Sequence, residues 1–182
     1  MKITETSLKD LLIIEPEVFE DERGCFFESY NKTKFNNLGI EIDFVQDNQS
    51  FSKYGTLRGL HYQNPPYAQT KLIRVLHGEI IDAVVDLRKN SATYGKSFTI
   101  SLSAENKKQL LVPKGFAHGF SVISETASVM YKCDQFYNKL SEGGITFNDP
   151  SLNINWGIDL KDAIVSEKDL ILPFIENCNS LF

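Results

Sequence analysis

The sequence predicts an all-β domain, closed either as a sandwich or as a jelly-roll barrel, and three observations predict it. Most apolar runs are short and rich in Val, Ile, Phe and Tyr. Gly, Asn or Pro interrupts them at the roughly 8–12-residue spacing of antiparallel strands. Apolar periodicity of helical length is scarce. A chain of 182 residues can bury one sizeable core, and no shift in composition divides it, so one domain is expected over 1–182.

The expected strands are Leu11–Val18, Gly24–Ser29, Phe44–Phe51, Leu57–Gln63, Lys71–Leu76, Glu79–Asp86, Phe98–Leu102, Gln109–Val112, Gly119–Ile123 and Ala127–Phe136. His77-Gly78 reads as a two-residue turn, which makes Lys71–Asp86 a hairpin. A short helix is expected over Lys32–Leu38, stopped by Gly39. A second helical turn follows the N-cap Ser166 and carries Glu167, Lys168 and Asp169.

Composition excludes several classes of function. With 42% hydrophobic and 24% charged residues the chain is an ordinary globular protein without a low-complexity tract. Met1–Asp10 alternates polar and apolar side chains and lacks the apolar stretch of a secretion signal. No segment approaches the roughly 20 apolar residues of a membrane span, so an unanchored cytoplasmic protein with no membrane partner is expected. Cys25, Cys133 and Cys178 are too far apart for a CxxC site and read as reduced thiols. A net charge of −5 disfavours a nucleic-acid partner but leaves room for an anionic small ligand, which needs only a few local cations.

Strand parity selects the side chains that can share an interior. Val129, Tyr131, Cys133 and Tyr137 fall on one face, so both tyrosines are expected to look inward. Lys71 aligns with Ile73 and Val75, and Asp82 with Val84 and Asp86; charges in register with aliphatics are rarely plain solvent decoration. His61 and Arg58 have opposite parity, which bars both from one pocket unless Gly59 hosts a bulge that re-aims one of them.

Several ordered blocks resemble one family. Thr56-Leu57-Arg58-Gly59-Leu60-His61-Tyr62-Gln63, Gln69-Thr70-Lys71-Leu72-Ile73-Arg74-Val75, Gly78-Glu79-Ile80-Ile81-Asp82, Val85-Asp86-Leu87-Arg88, Pro113-Lys114-Gly115-Phe116-Ala117-His118-Gly119-Phe120 and Tyr131-Lys132-Cys133 are similar to the signature blocks of the dTDP-4-dehydrorhamnose 3,5-epimerase family. The resemblance runs from Ile14 through Asn148-Asp149-Pro150 and Ile154-Asn155-Trp156 to Ser166-Glu167-Lys168-Asp169. It departs at Gly157, where the family usually has proline, and over the last dozen or so residues.

The resemblance implies a cupin-type jelly roll, an N-terminal arm of about residues 1–55 and a C-terminal segment of about residues 150–182 packed on the barrel. It also implies a homodimer and a cofactor-independent, metal-free epimerisation at C3 and C5 of a nucleotide-linked 4-keto-6-deoxyhexose. By the same resemblance His61 is the base and Asp169 its carboxylate partner, Tyr131 the opposing acid, and Lys71 the cation near the C4 oxygen. Arg58, Gln46, Asn48 and His118 fall in blocks lining the site. Phe19, Arg23 and Glu28 fall in the substrate-contacting arm, and Tyr137 matches an aromatic position near the nucleotide. A keto-sugar product at equilibrium also needs a downstream reductase as a trap, without stable contact.

The chemistry explains the residue types. A hydrogen beside a ketone is acidic only because the carbanion delocalises onto oxygen, so epimerisation needs a base on one face, an acid on the other and a charge to meet the enolate. Histidine, with an ordinary pKa of about 6.5, is mostly neutral yet basic near pH 7. A free phenol, at about 10, keeps its proton until the enolate needs it. General acid–base catalysis supplies about 10²- to 10⁴-fold, so an ammonium aimed at the oxyanion must carry the rest. Arginine clamps a diphosphate through planar bidentate bonds that lysine cannot imitate.

Other readings stay open at this point. A metal-dependent cupin wants two or three histidines and a carboxylate, often with an HxH pair, whereas the three histidines stand at 61, 77 and 118. A sibling that epimerises only C3 or C5, a 3,4-ketoisomerase, or an enzyme of GDP-linked sugars shares the same enolate. A catalytically silent sugar-nucleotide-binding module is the third alternative. Singly, His61 reads as a core histidine, Asp169 as a charge in a helix's first turn, His118 as contact or scaffold, and His77 as an exposed turn residue.

Overall fold

The computed structural model describes residues 1–182. Fourteen strands and two short helices follow one another: β1 (Lys2–Glu5), β2 (Leu12–Glu15), β3 (Phe19–Asp21), β4 (Gly24–Phe26), α1 (Lys32–Asn37), β5 (Gln46–Lys53), β6 (Thr56–Gln63), β7 (Lys71–His77), β8 (Glu79–Asp86), β9 (Ser97–Ser103), β10 (Gln109–Val112), β11 (Phe116–Val122), β12 (Thr126–Cys133), β13 (Glu142–Gly144), β14 (Ile164–Val165) and α2 (Glu167–Leu170). The first sheet runs β1-β2-β10-β7-β12-β5 and the second β13-β6-β11-β8-β9, with β14 pairing alongside β6. This is an all-β jelly-roll barrel: all-β as the short β-branched runs predicted, and of the two closures they left open the one that the family resemblance implied.

Burial outside as well as inside the barrel explains why several strands read as continuous apolar runs. Between the sheets lies a cluster that includes Ile73, Val75, Ile80, Val84, Leu110, Val122 and Val129. Under the C-terminal segment, Leu57, Ala83, Val85, Ile145, Leu152 and Trp156 cover the outer face of the second sheet. Under α1, Phe35 joins Ile14, Leu72 and Leu111 on the outer face of the first. Strand β8 therefore meets apolar partners on both faces, where a half-solvated strand would alternate.

The helical expectations were met closely. Asn31 caps α1 by accepting from Lys34 N, and Ser166 caps α2 by accepting from Asp169 N. The Lys71–Asp86 hairpin was not met. β7 pairs with β10 and β12, whereas β8 pairs with β9 and β11, so His77-Gly78 is a corner at which the chain leaves one sheet for the other. Gly157, at the departure from the family pattern, has φ +68°, which proline cannot adopt.

Within the first 55 residues, β1, β2 and β5 are built into the first sheet; the β3–β4 hairpin forms a separate two-stranded ribbon. That ribbon carries Phe19 at 58% and Phe26 at 70% exposure.

Candidate active site

The bulge at Gly59 organises the site. His118 pairs with His61 and Phe120 with Arg58, so β6 spends one more residue than β11 over the same stretch. Glycine is required on both strands there. A Cβ on Gly59 would lie 2.6 Å from Gly119 Cα, and a Cβ on Gly119 would lie 2.6 Å from Arg58 O. The extra residue cancels the parity difference, and His61 and Arg58 line one cavity.

The bulge also places Asp169. On the far edge of β6, β13 covers Gln63–His61 and β14 covers Thr56–Leu57, which leaves Gly59 N without a strand partner. Asp169 Oδ2 accepts that N–H at 3.2 Å, while Oδ1 lies 2.6 Å from His61 Nε2. One carboxylate thus meets the backbone of the bulge and the imidazole it re-aims. Burial pushes the Asp169 carboxyl upward, but the His61 hydrogen bond and charge, the Gly59 N–H and Ser166 together hold it below the usual carboxylate value. With Nε2–H donating to Asp169, Nδ1 is the ring nitrogen that bears the lone pair.

The cavity encloses about 690 Å³, within the range of small-molecule sites. His61 enters from the second sheet, whereas Lys71 on β7 and Tyr131 on β12 enter from the first. Lys71 Nζ lies 5.9 Å from the Tyr131 ring centre. Burial pushes the Lys71 ammonium below the ordinary lysine value, opposed by the charges of Cys133, Asp82 and Glu142. Burial raises the Tyr131 phenol, helped by Cys133 and opposed by Arg58 and Asn48. A phenol so raised stays protonated at neutral pH.

Of the residues singled out from sequence, His61, Lys71, Tyr131, Asp169, Arg58, Asn48 and His118 line this cavity. Arg58 Nε donates to Ser52 Oγ at 3.2 Å. His118 is 6% exposed and lies 2.8 Å from Asp82 through Nε2. Gln46 stands just outside and donates to Asn48 Oδ1 at 3.1 Å. The inward expectation for Tyr137 fails. β12 ends at Cys133, the strand parity ends with it, and Tyr137 is 56% exposed with its hydroxyl donating to Glu142 at 3.0 Å.

Phe19 and Arg23 lie apart from this cavity on the β3–β4 ribbon; Arg23 is engaged by Asp21. Glu28 pairs with Lys34.

Sequence reasoning missed Ser50 and Ser52 on β5 and Lys168 beside Asp169. A signal existed for the serines, because Gln46, Asn48, Ser50 and Ser52 share one parity and form a polar face turned inward. Lys168 lies 2.5 Å from Glu142 and ties α2 to β13. No three His, Cys, Asp or Glu side chains are grouped to hold a metal ion. No helix is long and apolar enough to cross a membrane.

The family model described as dTDP-4-dehydrorhamnose 3,5-epimerase matches residues 5–177. The chain belongs to this family. A dTDP-4-dehydrorhamnose 3,5-epimerase of Shigella flexneri is 50% identical over 171 residues, 93% of each chain. The crystal structure of a dTDP-4-dehydrorhamnose 3,5-epimerase from Elizabethkingia anophelis superposes with a TM-score of 0.93 at 56% identity, covering 97% of both chains. A dTDP-6-deoxy-D-glucose-3,5-epimerase from Legionella pneumophila, solved with dTDP-4-keto-L-rhamnose, superposes with a TM-score of 0.92 at 44% identity, over 97% of this chain and 93% of that one.

Proposed function

We propose that this epimerase-family chain inverts both C3 and C5 of dTDP-4-dehydro-6-deoxyglucose, giving dTDP-4-dehydro-L-rhamnose through an enolate. The observation that carries the reading is the pair formed across the cavity by His61, backed by Asp169 on one sheet, and Tyr131, beside Lys71 on the other. Relatives 44–56% identical bear 3,5-epimerase names, which favours double over single inversion.

In this reading His61 takes the proton from C3 or C5, and the C–H electron pair moves into the C4 carbonyl to give the enolate. The Lys71 ammonium meets the new oxyanion; losing one such donor typically costs roughly 10²- to 10³-fold in rate. Tyr131 gives its proton to the opposite face of the same carbon, and the electron pair returns from oxygen to form the new C–H bond. The imidazolium then releases its proton, solvent reprotonates the phenolate, and the cycle repeats at the other carbon. Arg58 holds the diphosphate, with Asn48 and Gln46 on the cavity wall.

The reading includes a homodimer. Phe19 and Phe26, paired across the β3–β4 ribbon and both exposed, support it, because aromatic residues are enriched at protein–protein interfaces. In the dimer, Phe19, Arg23 and Glu28 supply substrate contacts to the partner's cavity, and Tyr137 flanks the nucleotide. The enzyme works in the cytoplasm without a cofactor, and a keto-sugar reductase acts next on the product.

Turnover of dTDP-4-dehydro-6-deoxyglucose in D₂O tests the reading. Two deuterons, at C3 and C5, are expected, and His61→Ala should abolish exchange at both. One deuteron would make the chain a mono-epimerase; normal exchange by His61→Ala would remove His61 as the base.

A further inference from the structure

Asp82 is a carboxylate inside the barrel that the proposed reaction leaves unused. It lies on the inward face of β8 between Ile80 and Val84, both in the central apolar cluster. Burying a charge among aliphatics costs several kcal/mol unless a partner compensates. His118 Nε2 meets Oδ2 at 2.8 Å, but Oδ1 is fully buried and has no hydrogen-bond partner.

Lys71 presents the complementary problem on the opposite sheet. Its ammonium lines the cavity with neither an ion pair nor a hydrogen bond. Around it stand Tyr131 and Cys133 from β12, Arg58 and His61 from β6, His118 from β11, Asp82 from β8 and Glu142 from β13. Of the two carboxylates, Asp82 is the one with a buried oxygen left unpartnered. Glu142 is already engaged by Lys168 and Tyr137.

We propose that Asp82 is the counter-charge of Lys71 and that His118 fixes it, so that this pair positions a charged ammonium at the cavity wall. With Nε2–H donating to Oδ2, His118 orients the carboxylate and leaves Oδ1 as the free acceptor. Without the counter-charge, burial favours the neutral amine, which cannot balance an enolate. Asp82 touches no substrate; it is a positioning residue, and its proposed effect on rate rests on Lys71 being the partner of the oxyanion.

The test reads Lys71 directly. Acetylation by acetic anhydride across a pH series, quantified at Lys71 by mass spectrometry, gives the ammonium's titration midpoint without using turnover. Asp82→Asn should lower that midpoint by about one pH unit. The alkaline limb of the kcat profile should move by the same amount, while dTDP affinity stays within about twofold. His118→Asn retains the carboxylate and should move the midpoint by less than half as much. An unchanged midpoint in Asp82→Asn overturns the proposal, whatever turnover does. Wild-type turnover by Lys71→Met would overturn only the role of Lys71 at the oxyanion.

Thermal unfolding gives a second arm should Asp82→Asn fold poorly. Lys71→Met strands the Asp82 charge, so the Lys71→Met/Asp82→Asn double variant should unfold at a higher temperature than either single variant. Additive losses, or a double variant that also fails to fold, contradict the counter-charge.

Discussion

Replacing Asp169 by asparagine is the most informative change near the base, because the side chain keeps its shape while its charge is lost and one acceptor becomes a donor. The native carboxylate serves two donors, His61 Nε2 at 2.6 Å and Gly59 N at 3.2 Å. An asparagine in the same place has one carbonyl and one NH₂. Satisfying Gly59 turns the NH₂ toward His61 and forces the tautomer in which Nε2 accepts and Nδ1 carries the proton, so Nδ1 cannot act as the base. Satisfying His61 instead leaves a buried backbone N–H facing another donor, at about 1–3 kcal/mol.

Both outcomes also remove the charge that stabilises the imidazolium. A hydrogen bond to a charged group contributes about 1.5–3 kcal/mol, or roughly 10- to 150-fold in rate. The wrong tautomer adds to that loss, so kcat should fall roughly 10²- to 10⁴-fold. Steady-state kinetics should show KM within about threefold of wild type, since Asp169 is 3% exposed and lies behind the imidazole. An Asp169→Asn enzyme keeping more than about a third of wild-type kcat would refute the pairing as the source of His61's basicity.

Three further outcomes follow from the same geometry. Gly119→Ala puts a Cβ 2.6 Å from Arg58 O and should lower stability by about 1–3 kcal/mol in urea titration while also depressing kcat, because the bulge that aims His61 must shift. Arg58→Ala should weaken dTDP binding roughly 10- to 100-fold by calorimetry, with a smaller effect on kcat. Asp86 concerns stability alone. Burial raises its carboxyl, but hydrogen bonds from Arg88, Ser91 and Thr93 outweigh that and hold it at about 2 rather than 3.8. A depressed carboxyl stabilises the fold above its unfolded value and loses that contribution as pH falls through the folded one. Asp86→Asn should therefore cost about 2 kcal/mol at pH 7, and the deficit should shrink between pH 4 and pH 2.

What could be read from the residues alone depended on whether the determinant was local. The β-branched runs and their turn spacing specify strands, and Ser166 and Asn31 specify helix starts through their own side chains. Gly59 between two side chains of opposite parity announces a bulge, because no regular strand serves both. The pairing partner of a strand is a non-local property. His77-Gly78 has the composition of a hairpin turn, yet the partners of β7 and β8 lie tens of residues away on separate sheets. Tyr137 was misplaced for a related reason, since parity extends only as far as the strand and β12 stops at Cys133. Phe19, Arg23 and Glu28 could be matched to a pattern, but no strand periodicity expresses which cavity a separate ribbon serves. Asp82 was legible as an inward charge; its partner His118 required the β8–β11 register.

Whether two groups act on opposite faces of one ring is decided by the behaviour of Tyr131→Phe in D₂O. Deuterium should still enter C5 at a substantial rate while inversion falls at least about tenfold, so that exchanged sugar of unchanged configuration accumulates. Equal losses of exchange and inversion, or inversion at the wild-type rate, would contradict action from opposite faces.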